Sequence, residues 1–259
     1  MNFIVFLKMV PDVIEELKIA GDGKSLDSDW LRMKLNECDE HAVEEAIILK
    51  EKTGGKVTVI ALDAMELDDA LFSALAKGAD KAVKITGNLQ NIHSPAVAEI
   101  YAKYLKDNCL IDNKTLILSG SQAIDDIEGE MIYFLAELLN LPVYGVVTSV
   151  SYNSDKNDLT IMKEFSGGIR GEFEVEIPSV LGIQAAENPP RYIPIAKIRA
   201  IMKTSTIEEI EIPEDGLTEK IAIDKLFESE VSGRAEMLEG SPEEISAKLI
   251  EIFTVKGII

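Results

Sequence analysis

The run Leu118-Ser119-Gly120-Ser121-Gln122-Ala123-Ile124-Asp125-Asp126 is small, polar and glycine-containing, and it continues the apolar stretch that starts at Thr115. A loop of this kind at the carboxyl end of a strand, opening a helix, is where doubly wound sheets bind nucleotides. Asp125 and Asp126 would serve equally well as N-caps in an ordinary strand-to-helix loop. A second run, Asn188-Pro189-Pro190-Arg191-Tyr192-Ile193-Pro194-Ile195, sets two large apolar groups and one aromatic on prolines that stiffen the backbone. Preordered anchors suit docking to another protein, because little entropy is lost on binding; they also suit a rigid interdomain connection.

Other chemistries find less support. Ser166-Gly167-Gly168-Ile169-Arg170-Gly171 resembles the opening of the Ser-Gly-Gly phosphate loop of ATP pyrophosphatases, but it lacks the Asp-Ser continuation and does not follow the first strand. It reads as a hairpin turn. No G-x-G-x-x-G follows a strand, and there is no Walker A sequence. Two cysteines, Cys38 and Cys109, cannot make a disulfide framework or a four-cysteine zinc site. Neighbouring Glu37 and Asp39 disfavour a Cys38 thiolate, so no reactive nucleophile is expected there. His41 and His93 are far apart, which speaks against a His-rich metal site or a catalytic triad, and His41 reads as a surface residue. The net charge of −20 over 259 residues repels phosphate backbones and anionic lipid, so nucleic acid and membrane surfaces are not expected partners. The apolar N-terminus lacks a basic region and a cleavage site, and no run is long enough to span a bilayer; the expected compartment is the cytoplasm.

The elements that would position these runs alternate. Phe3 to Leu7, Lys56 to Leu62, Ala82 to Ile85 and Thr115 to Gly120 are apolar or β-branched strands. Between and after them, Glu37 to Lys52, Asp68 to Lys77, Ser94 to Asn108 and Ile127 to Asn140 show helical spacing. The rhythm predicts an α/β fold with a doubly wound, mostly parallel sheet. Leu159 to Glu164 and Glu172 to Ile177 alternate polar and apolar around Ser166-Gly167-Gly168, an added β-hairpin, and Val180 to Ile183 can re-enter the sheet. From Ile201 onward 6 basic and 14 acidic residues occupy 59 positions, and segment 201–240 has too little apolar content to build a core. It is expected to be flexible in the free chain or to order against another surface. Ser241 to Phe253 is a helix with a serine N-cap and Pro242 at its first position.

Taken in order, several segments resemble the beta subunit of electron transfer flavoproteins along nearly the whole chain. They are Lys8, Val10 and Asp12; Asn36 through Cys38 leading into Ala42 to Ala46; Ala74 to Asp80; Gly120 to Asp126; Gly167-Gly168; Pro178; and Asn188 to Lys203. The resemblance implies an adenine-nucleotide alpha-hydrolase-like domain over 1–200, including a docking loop at 188–198, and a C-terminal arm and helix over 201–259 that packs on an alpha subunit. It implies a non-enzymatic electron carrier, a heterodimer that takes electrons from flavoprotein dehydrogenases through FAD held mainly by the alpha subunit. A cofactor site is implied at Phe6, Asn36, Leu62, Gly120, Gln122, Ala123, Asp125, Asp126 and Gly129, and partner docking at Pro190, Arg191, Tyr192 and Ile195. Catalytic and metal-binding residues are not implied. Many members hold AMP in the beta pocket, and those that split electron pairs hold a second FAD. Here Ile127-Glu128-Gly129-Glu130-Met131 stands where a Thr- or Gln-containing phosphate turn is usual, and Glu128 and Glu130 would repel a phosphate. Weak AMP binding, or none, is therefore expected. The alternative is a nucleotide-binding hydrolase or stress-type module of the same fold, against which the missing Asp-Ser continuation and the two glutamates argue.

Overall fold

A computed structural model describes residues 1–89, 92–153, 158–212, 223–228, 235 and 237–259. Two compact units are present, Met1–Asp224 and Lys225–Ile259.

The first unit is a nine-stranded mixed sheet with helices on both faces. In chain order it comprises β1 (Asn2–Leu7), β2 (Met9–Pro11), β3 (Met33–Leu35), α1 (Glu37–Thr53), β4 (Lys56–Leu62), α2 (Leu67–Lys77), β5 (Lys81–Thr86) and α3 (Ser94–Asp107). There follow β6 (Thr115–Gly120), α4 (Met131–Leu139), β7 (Val143–Asn153), β8 (Asp158–Phe165), β9 (Ile169–Val175), β10 (Ser179–Ile183), α5 (Ile195–Thr204) and β11 (Glu208–Glu211). The strand order is β11-β5-β4-β1-β6-β10-β7-β8-β9, parallel from β11 through β7 and antiparallel over β7-β8-β9, while β2 and β3 form a separate ribbon.

Side-chain alternation divides the interior. Phe3, Val5 and Leu7 point to the face covered by Ala42, Val43, Ala46 and Leu49 of α1 and Leu67 and Leu71 of α2. Ile4 and Phe6 point to the other, under Ala98, Tyr101 and Leu105 of α3 and Ile132 and Leu135 of α4. A strand covered on both faces must be apolar at every position, which is why the central strands are unbroken hydrophobic runs. The doubly wound sheet and the hairpin agree with the sequence reading.

Several elements differ from it. The helix expected at Ile127 starts at Met131, because Gly129 adopts a left-handed φ of 63° and its N–H bonds back to the Asp126 carbonyl. A Cβ there would lie 2.1 Å from the Ser121 carbonyl oxygen, so the tight turn requires glycine. β7 was not recognised, since its pattern is broken by Gly145 and by Val146 in a left-handed conformation. The boundary at 200 also moves. α5 runs through it, and β11 adds to the outer edge of β5 with Ile210 opposite Ile85. Lys81 pairs with Glu208, and Lys84 with both Glu209 (2.9 Å) and Asp68 (3.0 Å). Segment 208–212 therefore orders by backbone pairing with its own sheet, without a core of its own. Residues 213–222, 229–234 and 236 of the expected arm lie outside the described residues.

The second unit contains α6 (Pro242–Val255). Its Ser241 side chain accepts from the Glu244 N–H while the Glu244 carboxylate accepts from the Ser241 N–H, a reciprocal cap. Ile250 and Phe253 stay exposed on it.

Candidate functional site

All nine residues expected at a cofactor site line one cavity of about 700 Å³ at the carboxyl ends of β1, β4 and β6. Phe6 comes from β1, Leu62 from the end of β4, Asn36 from the residue before α1, and Gly120 from the end of β6. Gln122, Ala123, Asp125, Asp126 and Gly129 come from the loop between β6 and α4. Parallel sheets expose backbone ends at this edge, so loops from separate crossovers converge there.

One residue that the sequence reading missed ties these loops together. Asp39, fully covered in the first turn of α1, accepts from the Lys8 N–H (2.9 Å) and the Gly120 N–H (2.6 Å). Burial raises its pKa from 3.8 to about 6, and the two backbone donors hold it from rising further. Its neighbour Asn36 donates to the Gln122 carbonyl at 2.9 Å, Lys8 pairs with Asp125 at 2.7 Å, and the Ser94 hydroxyl donates to Asp126. Phe6 is stacked on Tyr101 at 3.9 Å between centroids, and burial drives the Tyr101 hydroxyl upward. The Cys38 thiol is also raised, first by burial and then by the Asp39 charge.

Five backbone amides of this loop are closed to an added anion. The N–H of Gly120 is held by Asp39, that of Ser121 by the Ile183 carbonyl, and those of Ala123 and Asp126 by each other's carbonyls. Gly129 completes the turn onto Asp126. An anion site at a loop of this type depends on amides that point at the ligand, and these five already have protein acceptors. Four carboxylates of this loop, Asp125, Asp126, Glu128 and Glu130, line the same cavity, with Asp39 and Asp63 from other elements. Glu128 sits in the turn and Glu130 stands at the N-cap position of α4 without a side-chain capping bond, so only the second occupies a helix terminus as the sequence reading expected.

The run expected to dock a partner lies elsewhere and is held by α1. His41, expected at the surface, is half-buried and its Nδ1 accepts from the Ala186 N–H at 3.1 Å. Glu45 accepts from the Glu187 N–H at 2.9 Å, and Glu44 from the Arg191 N–H at 2.9 Å. The Arg191 guanidinium grips Glu44 through Nε (2.9 Å) and Nη2 (2.9 Å), and Glu51 through Nη1 (2.7 Å). Arg191 thus turns inward. Tyr192 is 83% exposed and Ile195, the first residue of α5, 64%. Pro190, half-buried, immediately precedes Arg191 on the inward-facing stretch. Carboxylates in the otherwise apolar stretch Ala42 to Leu49 were the available signal for this arrangement.

Burial raises the Glu45 pKa from 4.5 to about 7 against the opposing pull of the Glu187 N–H and of Lys52, and its Oε1 has no hydrogen-bond partner. Among the described residues no group of three or more His, Cys, Asp or Glu could hold a metal ion, and no helix is long and apolar enough to cross a membrane.

The family model of the electron transfer flavoprotein domain matches residues 27–215. The chain is 31% identical to the electron transfer flavoprotein subunit beta of Methylophilus methylotrophus over 97% of each chain, and 31% identical to that of Bacillus subtilis over 97% of each. A protein of Arabidopsis thaliana named electron transfer flavoprotein subunit beta, mitochondrial, is 29% identical over 82% of this chain and 84% of its own. The match spans the sheet, the cavity loops and the clamped segment alike, and the chain belongs to the electron transfer flavoprotein family, among its beta subunits.

Proposed function

We propose that the chain is the beta half of a heterodimeric electron carrier. With an alpha subunit, it takes electrons from flavoprotein dehydrogenases and passes them to a downstream acceptor in the cytoplasm. FAD, held mainly by the alpha subunit, supplies the redox chemistry. The chain contributes a wall of the flavin site and the surface that meets the dehydrogenase; no acid–base or nucleophilic step is assigned to it. The observation that carries the docking role is the pair Tyr192 and Ile195, exposed on a proline-stiffened segment whose root is fixed on α1. Rigid aromatic and aliphatic anchors lose little entropy on binding. Helix α6 packs on the alpha subunit, which covers its exposed Ile250 and Phe253.

The cavity over Phe6 is a remnant nucleotide pocket that holds AMP weakly or not at all. Five of its loop amides, those of Gly120, Ser121, Ala123, Asp126 and Gly129, already have acceptors within the protein, and its carboxylates repel phosphate. One purification tests both statements. The chain expressed alone is expected to be colourless, and co-expression with its alpha subunit to yield a yellow heterodimer whose heat-released cofactors contain FAD and far less than one AMP. A flavin spectrum at full occupancy in the lone chain would place a private FAD in the beta cavity. Near-stoichiometric AMP would show that the acidic loop still grips phosphate.

A further inference from the structure

Segment 186–191 does little to hold itself. Pro189 and Pro190 have no N–H, and three of the four remaining amides, those of Ala186, Glu187 and Arg191, donate to side chains of one helix. The acceptors His41, Glu44 and Glu45 stand three and four residues apart, the spacing that places them on one face of α1. Glu51, two turns further on, adds the second carboxylate for the Arg191 guanidinium, and Lys52 pairs with Glu187 at 2.9 Å.

We infer that this row on α1 is a clamp that sets the pose of Tyr192 and Ile195 for the docking partner, with Glu44 and Arg191 as its positioning pair. The inference rests on the docking role proposed above. The Glu44 side chain is 4% exposed, so it reaches a partner only through Arg191. A planar guanidinium gripped on two edges fixes both the direction and the twist of the chain that follows it, which an ammonium does not. From Arg191 only Tyr192, Ile193 and Pro194 separate the clamp from Ile195, and Pro194 holds that short path stiff. Neither residue of the pair is catalytic; the clamp acts through geometry.

The test uses the intact heterodimer and a purified flavoprotein dehydrogenase of the source organism that reduces the wild type. Arg191→Lys keeps the charge and loses the fork; Ile195→Ala removes the anchor and leaves the clamp. Expected for Arg191→Lys is an approximately tenfold rise in KM for the heterodimer, with kcat changed less than about twofold and amides 187–192 exchanging about tenfold faster. Expected for Ile195→Ala is a similar rise in KM with wild-type exchange. Should Arg191→Lys fail to fold, Glu51→Gln on the exposed edge is expected to give the same pattern at about threefold. Faster exchange with unchanged KM, while Ile195→Ala raises KM, overturns the clamp and spares the docking reading. A wild-type KM in Ile195→Ala overturns the docking reading and the clamp with it.

Discussion

Of the three buried carboxylates on α1, Asp39 and Glu45 are the two whose burial ties stability to pH. Burial favours their protonated forms, raising Asp39 from 3.8 to about 6 and Glu45 from 4.5 to about 7. Between pH 4.5 and 7 the folded chain binds more protons at Glu45 than the unfolded chain does. The stability this contributes is present below pH 4.5 and is lost as pH rises through about 7. Glu45→Gln keeps an oxygen for the Glu187 N–H and removes the buried charge, so it is expected to be more stable than wild type at pH 8. The gain is about 2 kcal/mol, or roughly 5 °C in Tm, and should shrink toward zero at pH 5. Melting curves of both proteins from pH 5 to 8 check this; a constant difference across the range would show that Glu45 stays charged. At this scale the sequence was readable where a residue's type matches its place. The residues expected at the cofactor site share a cavity because parallel topology gathers strand ends. Asp39 and Glu45 were not readable, because an acid inside an amphipathic helix looks solvated until the segment that covers it is known. Arg191 was read as facing a partner for the same reason: its acceptors lie about 140 residues away.

At the scale of elements, β11 shows what hydrophobic pattern cannot reveal. Glu-Glu-Ile-Glu has one apolar residue and no strand signature, yet it forms a parallel ladder on β5 through four paired positions. Order there comes from the open backbone edge of β5 and from Lys81 and Lys84, whose partners Glu208 and Glu209 are supplied by the incoming strand. Ile210 and Ile212 then pack beside Val83 and Ile85. A chain ending at 212 is expected to melt like the full chain. One ending at 206 loses this strand and should fall by about 2 kcal/mol for two half-buried isoleucines, roughly 5 °C. Equal melting temperatures for the two truncations would reduce β11 to a passive attachment. By contrast β1, β4, β6 and β10 were legible, since a strand packed on both faces has no choice but an unbroken apolar run. β7 fell between these cases. It is half-solvated, and Val146 takes a left-handed turn where the register with β10 and β8 shifts.

For the molecule as a whole, the sheet is open rather than closed into a barrel, and among the described residues its last strand, β9, has β8 as its only neighbour. A free row of peptide groups is a template on which a second copy could add and start a growing aggregate. Ile169 and Phe173 are exposed on that strand, so its side chains would favour such addition. Arg170, Glu172 and Glu174 alternate with them and are exposed too. Two copies meeting edge to edge would have to bring these charges together, on top of the repulsion between bodies of charge −20. Salt screens the general field over about 10 Å at 0.1 M, whereas charges forced into contact stay costly. Glu172→Thr with Glu174→Thr is therefore expected to leave the monomer folded but make light scattering rise with protein concentration, more steeply in high salt. No rise would mean that the edge is protected by its twist alone. Acidity in this chain thus has a second office besides keeping it dissolved: at its outermost strand it keeps the sheet finite.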